Sequence, residues 1–412
     1  MYTDKKVNLN KALFVMSLLF FMWGLITVLN IALTNELKDV FRLTYFQALF
    51  IHVAFYSTYF IMGFPSGKVI DKIGFRKGLV SGAVLAAVGC FMFYPAAEYR
   101  SFSLFIIALV VVATGFTFLQ TAANPYVLLV GDRQTSASRL TFLGGFNSLG
   151  TFFATTLAAG LLYNMVGFNP DDFGMMSPAD IDNAKINLVQ TPYLVLGLLW
   201  VVIATIVYFA NLPSVSTVNV EPNVKSDKPI TSELQVKHFV LGMAGIFAYV
   251  GAEVAIGQYI NWKQPEFSQH YWGLAMIGRF VGALILLKVS PRKLMLINCL
   301  GAVLMILLYL FFSGNEGSIY FLVLIGLFNS VLWPSIFTLA IDGLGKFTEE
   351  GSSYLIMMIL GGAIIPLLFM NIVTEVSATA LPLGLFIVMA CYAYIFFFGA
   401  KGSKYDKRTN LY

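Results

Sequence analysis

A chain of 412 residues that is 58% hydrophobic, 11% charged and has a mean hydropathy of +0.79 carries less than half the roughly 25% charge of a soluble domain. These values exclude an ordinary soluble protein. The formal charge of +5 does not require a nucleic-acid partner, because basic residues facing anionic headgroups produce the same balance.

Thirty-eight Phe and twenty Tyr interleaved with thirty-five Gly suit closely packed membrane helices. The alternating strands of about ten residues that a barrel needs are not found. In chain order, Met1 to Lys11 is polar and basic, and the first apolar run is about 20 residues long with no small-residue cleavage site after it. It reads as a retained span and not as a signal peptide.

A window of about 19 to 20 apolar residues predicts spans near 12–33, 45–66, 77–95, 102–128, 138–164, 190–211, 238–260, 269–288, 293–312, 318–341, 352–374 and 380–400. Between the sixth and seventh lies Leu212 to Lys237, rich in Pro, Ser, Thr and charge, which reads as a linker. The prediction is an all-α integral membrane protein of twelve transmembrane helices. Its two six-helix halves, 1–211 and 238–412, are joined by a cytoplasmic linker over 212–237.

Of the 26 Lys and Arg, 20 fall on the side holding both termini, five on the other side, and Arg279 alone within a span. That excess places both termini in the cytoplasm. Gly67 to Lys77 (GKVIDKIGFRK) after the second span is weakly echoed by Gly282 to Lys293 (GALILLKVSPRK) after the eighth, the mark of an internal repeat.

Cys90, Cys299 and Cys391 each sit in an apolar run with no CxxC or His cluster beside them, so neither a disulfide framework nor a zinc site is supported. No phosphate-binding Gly-Lys loop, Ser/His/Asp set or metal-ligand cluster is found either, which argues against an enzyme and against a bound cofactor.

Charge at bilayer depth is expensive, about 2.5 to 3.5 kcal/mol on insertion scales, so each instance is a candidate for function. Glu253 (GAEVAIGQY) is the only carboxylate near mid-span, with Gln258 a turn and a half beyond it. It can bind a proton or sodium ion, contact a ligand's hydroxyls, or pair structurally with Arg279 or a Tyr. Arg279 (MIGRFVG) can snorkel or pair with a helix C-terminus or an acid. His52, deep in the second span, can serve a polar ligand, a proton relay or packing.

Asn30, Gln120, Asn124, Asn147 and Asn329 sit in apolar surroundings. Carboxamides donate and accept, as a polyhydroxylated neutral ligand requires, and Trp23, Phe328 and Trp333 can stack on a pyranose ring. Helix-to-helix hydrogen bonding is the competing use of each carboxamide. Pro125 and Pro334, mid-span in the fourth helix of each half, free backbone groups and permit bending. In GKVIDKIGFRK, Gly67 permits close helix approach, Asp71 can accept from a helix N-terminus or an Arg, and Arg76 and Lys77 hold the loop at the headgroups. This is either a gating latch or an ordinary basic loop.

The GKVIDKIGFRKG stretch resembles the loop signature of the major facilitator superfamily, which implies two six-helix bundles around a cavity that opens alternately to each side. Segments 20–30 (FFMWGLITVLN), 43–63, 119–126 (LQTAANPY), 146–151 (FNSLGT), 190–194, 249–257 (YVGAEVAIG) and 278–282 (GRFVG) resemble its fucose/glucose/galactose permease family, most closely the bacterial glucose/galactose permeases. The resemblance implies import of a hexose, or an N-acetylhexosamine, across an inner membrane. It also implies a coupled proton or sodium ion and a carrier that works as a monomer.

Four departures from the family stand out. Ile31 replaces the carboxylate linked to proton coupling, Gln120 stands where fucose symporters carry a glutamate, Gly144 replaces a sugar-contacting Gln, and His52 replaces a Gln. Coupling has then moved to Glu253 with His52, or the protein is a uniporter, or Ile31 is an engineered or drifted change that traps one state. A carrier of a less polar solute and a non-transporting sugar sensor are the rival expectations.

Overall fold

The computed structural model describes residues 9–32, 41, 45–166, 177–213, 215, 221–225, 231–376 and 380–405; the side chains of Asn30, Ile31 and His52 lie outside that description. The first half comprises α1 (Leu9–Ala32), α2 (Tyr45–Ile73), α3 (Phe75–Glu98), α4 (Phe102–Leu129), α5 (Ser136–Val166) and α6 (Pro178–Phe209). The second comprises α7 (Lys237–Lys263), α8 (Ser268–Ile285), α9 (Pro291–Phe311), α10 (Ile319–Ile341), α11 (Gly345–Thr374) and α12 (Leu381–Phe397). These twelve helical stretches lie where the hydropathy pattern places twelve spans.

Helix starts follow local chemistry. Ser177 and Ser290 cap α6 and α9 by accepting from the Asp180 and Lys293 amides, each ahead of a first-turn proline. Gly74, at φ +82°, is the one residue between α2 and α3, a backbone state that favours glycine. The two mid-span prolines act differently. Helix α10 is interrupted at Ser330 and Val331, because Pro334 lacks the N–H that would bond the carbonyl four residues back. Helix α4 continues unbroken across Pro125.

Among the described residues, nine stretches are long and apolar enough to cross a membrane. Helices α2, α5 and α8 have 29, 31 and 18 residues. They are also the helices at the seams between halves, with α2 packed on α11 and α5 on α8. A face turned to another bundle is not selected against lipid, so it tolerates Gly, Ser, Thr and charge.

Small residues set the close contacts. A Cβ on Gly82 would lie 2.8 Å from the Gly115 carbonyl oxygen, joining α3 to α4. One on Gly24 would run into the Asn147 carbonyl, and one on Gly150 into that of Phe21, joining α1 to α5. The repeat also has a geometric counterpart. Arg76, after α2, donates to the Tyr208 carbonyl at the end of α6, while Arg292, after α8, donates to the Ser403 carbonyl beyond α12 at 2.8 Å. In each half a cation caps the last helix's carbonyl end.

The short turn Glu233–Gln235 ahead of α7 buries Glu233 to 2% exposure, with Oε2 unpartnered. Burial first, and the neighbouring Glu350 carboxylate second, push its carboxyl above the usual carboxylate range. The folded state therefore holds this proton more tightly than the unfolded chain, and stability is lost as pH rises through that raised value.

Two predictions follow from this packing. Gly24→Leu must part α1 from α5 and should lower stability by about 1 to 3 kcal/mol or prevent folding, read as the thermal midpoint in detergent. Glu233→Gln should raise the midpoint at pH 7.5, with the gain vanishing below the ordinary glutamate pKa of about 4.3; an unchanged midpoint at both pH values would show that Glu233 carries no penalty.

Candidate functional site

Glu253, on the fifth turn of α7, is 9% exposed, and its Oε1 lies 3.4 Å from Nη2 of Arg279 on α8. The other guanidinium nitrogen, Nη1, leaves this half altogether. It donates to the Ser148 hydroxyl at 2.7 Å and the Gly144 carbonyl at 3.2 Å, both on α5. Pairing with an acid was one of the readings open for Arg279; the reach across the seam is new. Neutralising both charges in one pair is what makes each tolerable away from water.

Tyrosines fix this pair from behind. Tyr271 on α8 donates to the Glu253 backbone carbonyl at 3.0 Å and receives a bond from Asn329 Nδ2 at 2.9 Å. Tyr392 on α12 donates to Asn329 Oδ1 at 2.8 Å, and Tyr249 donates to the Asn329 carbonyl at 3.2 Å. Asn329 is 0% exposed and both ends of its carboxamide are bonded. It ties α8, α10 and α12 together and presents nothing to a ligand, so its assignment as a sugar contact is corrected to a structural one. Such a satisfied network in a low dielectric specifies one arrangement.

Phe328 needs a similar correction. Its ring covers Gly301 on α9, where a Cβ would clash with it. Adjacent helical residues point about 100° apart, so turning Asn329 inward turns Phe328 sideways. Trp333 stacks on Phe337 one turn along α10 at 5.0 Å and is half-buried, as is Gln258 on α7.

In the first half, Trp23 of α1 and Gln120 of α4 both reach the Tyr59 hydroxyl of α2. Gln120 Oε1 and both side-chain atoms of Asn124 are buried without a protein partner. Tyr56, one turn before Tyr59, lies within Coulombic reach of Glu253 and against Gly362 of α11. Trp23, Tyr59, Gln120, Tyr56, Glu253 and Arg279 thus form a polar path from α1 across to α8. Asn147 is half-buried and its Nδ2 donates to the Phe20 carbonyl at 3.2 Å, the helix-to-helix use. Asn30 and His52 fall on α1 and α2, with side chains outside the described part.

Of the loop signature, Gly67 touches the other half. A Cβ there would lie 2.6 Å from Ser353 Oγ of α11, and one on Gly63 would strike Met357. Asp71, Arg76 and Lys77 are exposed, and Arg76 is held within its own half by Tyr208. Here the glycine face meets the neighbouring helix of the other half, while the charges at the helix end remain solvated. Around it, Ser352 donates to the Thr121 carbonyl at 3.2 Å, Ser138 to the Ala283 carbonyl at 2.7 Å, and Arg133 pairs with Asp342. All close the end of the molecule that bears the basic loops.

Sequence reasoning missed Tyr56, Tyr59, Tyr249, Tyr271, Tyr392 and Ser148. Among twenty tyrosines nothing in spacing marks these, although phenol hydroxyls at mid-span are the groups that need partners.

The Major Facilitator Superfamily model matches residues 12–366. A glucose/galactose transporter of Brucella abortus is 39% identical over 415 residues, covering 98% of this chain and 96% of that protein. The L-fucose-proton symporter of Escherichia coli is 32% identical over 398 residues, covering 92% and 90%. The crystal structure of the E. coli fucose:proton symporter superposes with a TM-score of 0.81 at 28% identity, over 95% of this chain and 98% of that one. A polar path between two six-helix bundles, seams lined by glycine and matches along nearly the whole length agree: the chain belongs to the Major Facilitator Superfamily, in its fucose/glucose/galactose permease family, whose members are transporters and not enzymes.

Proposed function

We propose that this protein is a secondary transporter that imports a monosaccharide by alternating access, with a hexose such as glucose or galactose first and an N-acetylhexosamine second. In this reading a proton or sodium ion is coupled through Glu253. The observation that carries it is the polar path, in which carboxamide and aromatic groups of the first half face a titratable carboxylate paired at the seam with Arg279.

Trp23, Gln120 and Asn124, with Tyr59, would hold the sugar hydroxyls from the first half, and Gln258 and Trp333 from the second. Asn30 remains a proposed sugar contact of α1, and His52 of α2 a proposed partner of Glu253 in ion coupling. The division into 1–211 and 238–412 about a 212–237 linker, cytoplasmic termini and an inner-membrane location belong to the same reading. The closed end with the basic loops, and the likeness to a relative solved in the outward conformation, support an outward-facing state.

Uptake of labelled glucose, galactose, mannose, fucose and N-acetylglucosamine into proteoliposomes, with and without a proton or sodium gradient, tests this. Accumulation above equilibrium of one sugar is expected. Equilibration alone would make the protein a uniporter, and no flux for any sugar would overturn the reading. Glu253→Gln should abolish gradient-driven accumulation while sparing exchange; undiminished accumulation would remove Glu253 from coupling. Gln120→Ala should weaken apparent sugar affinity in a stable protein. Asn329→Leu should instead lower stability by about 1 to 3 kcal/mol by stranding the Tyr392 hydroxyl and removing the donor to Tyr271, measured by thermal unfolding.

A further inference from the structure

We propose that Gly144 is the seat of Arg279, and that this seat turns the Glu253–Arg279 pair into a charge-dependent tie between the two bundles. The inference rests on the reading that Glu253 changes its charge during transport.

Glu253 and Arg279 belong to the same half, so their pairing alone would not hold the halves together. The guanidinium does so because it extends past Glu253 to the Ser148 hydroxyl and the Gly144 carbonyl of α5. Its arm passes directly over residue 144: a Cβ there would lie 3.5 Å from Arg279 Cδ and 4.0 Å from Nε. A methyl group fits at that distance, whereas a longer side chain must occupy the arm's path. A glycine is therefore what allows an α8 side chain to supply the polar group at this level of the α5 wall.

The surrounding seam is tightly packed. Gly145 lies against the Phe280 ring, where a Cβ would be 2.8 Å away, Gly282 sits beneath Val331 near Thr141, and Ser138 bonds the Ala283 carbonyl. The other charged contact across this seam, Arg133 with Asp342, has Arg133 largely solvent-exposed and contributes little to holding it.

The described titratable and charged groups facing the Glu253 carboxylate are Arg279 and Tyr271 from α8, Tyr249 from α7 itself and Tyr56 from α2. Among them Arg279 is the cation, so the ionised carboxylate and the guanidinium neutralise each other. Protonating Glu253 leaves the guanidinium without its counterion where only 13% of its side chain is exposed, so its charge is poorly compensated. The relief available is fuller hydration, which a parting of α5 from α8 provides. Protonation of Glu253 thus loosens the seam at the end that bears the basic loops, which is the direction an importer needs once loaded from the other side.

The test uses the full chain carrying Thr141→Cys as a reporter. Thr141 is fully buried beside Gly282, and its hydroxyl bonds only its own helix, to the Ala137 carbonyl at 2.7 Å. The native cysteines Cys90, Cys299 and Cys391 are buried, and the parent without the reporter gives the background. Maleimide labelling rates are compared in detergent at one pH.

Glu253→Gln and Gly144→Leu should each raise the rate at least about fivefold, the low end of ordinary coupling between sites. Gly144→Ala should label as the parent does. Glu253→Gln combined with Arg279→Gln, which removes the uncompensated charge, should return towards the parental rate. Gly144→Gln repeats the steric test if Gly144→Leu loses its helical circular dichroism.

Parental labelling in both Glu253→Gln and the long-side-chain variants would overturn the proposal, as would equal labelling of Gly144→Ala and Gly144→Leu. A double variant as reactive as Glu253→Gln would do the same. Labelling requires no flux, so a failure of sugar import would leave these outcomes readable, and parental labelling in a protein that accumulates sugar would remove the tie alone.

Discussion

The arrangement depends on a single guanidinium that meets three partners on two halves of the molecule. Arg279 faces Glu253 through one nitrogen and the Ser148 hydroxyl and Gly144 carbonyl through another. Each contact makes the others necessary. Without Glu253 the charge has no counterion at this depth, and without the α5 groups its second nitrogen would be buried and unbonded. The backbone of Glu253 is in turn held by Tyr271, which is held by Asn329 and, through it, by Tyr392. The ion pair therefore sits on a rigid frame in the second half and reaches towards α5 in the first.

That asymmetry sorts the carboxamides. Asn329 and Asn147 bond helices to one another, whereas Gln120 and Asn124 keep buried acceptors and donors without a protein partner. Structure is thus concentrated where the carboxamides are satisfied, and the proposed sugar contacts where they are not. Aromatic residues divide in the same way: Phe328 fills the space over Gly301, while Trp23 turns towards Tyr59.

Glycine does two kinds of work. Within a half, Gly24, Gly82 and Gly150 bring backbones into contact and make the bundle stiff. Between halves, Gly63 and Gly67 on α2 and Gly144, Gly145 and Gly282 on α5 and α8 leave seams whose contacts are van der Waals surfaces and single hydrogen bonds. Stiff bundles meeting across weak seams are what rigid-body rocking requires. The Arg279 contact adds charge dependence to one of those seams.

The twelve spans, the division into two halves and the basic loops were legible in the sequence because they follow from the cost of placing polar backbone and charge in lipid, which acts on each segment by itself. Glu253 stands out in the sequence for the same reason, and so does the repeat, whose two arginines cap corresponding helix ends. Partnership was not legible. Whether Asn329 bonds tyrosines or a ligand, whether the loop charges or Gly67 meet the other half, and whether Arg279 turns inward or across the seam depend on residues as far apart in the chain as Gly67 and Ser353. A hydrogen bond is decided within a few tenths of an ångström, and only the packing of one helix on another sets distances that finely.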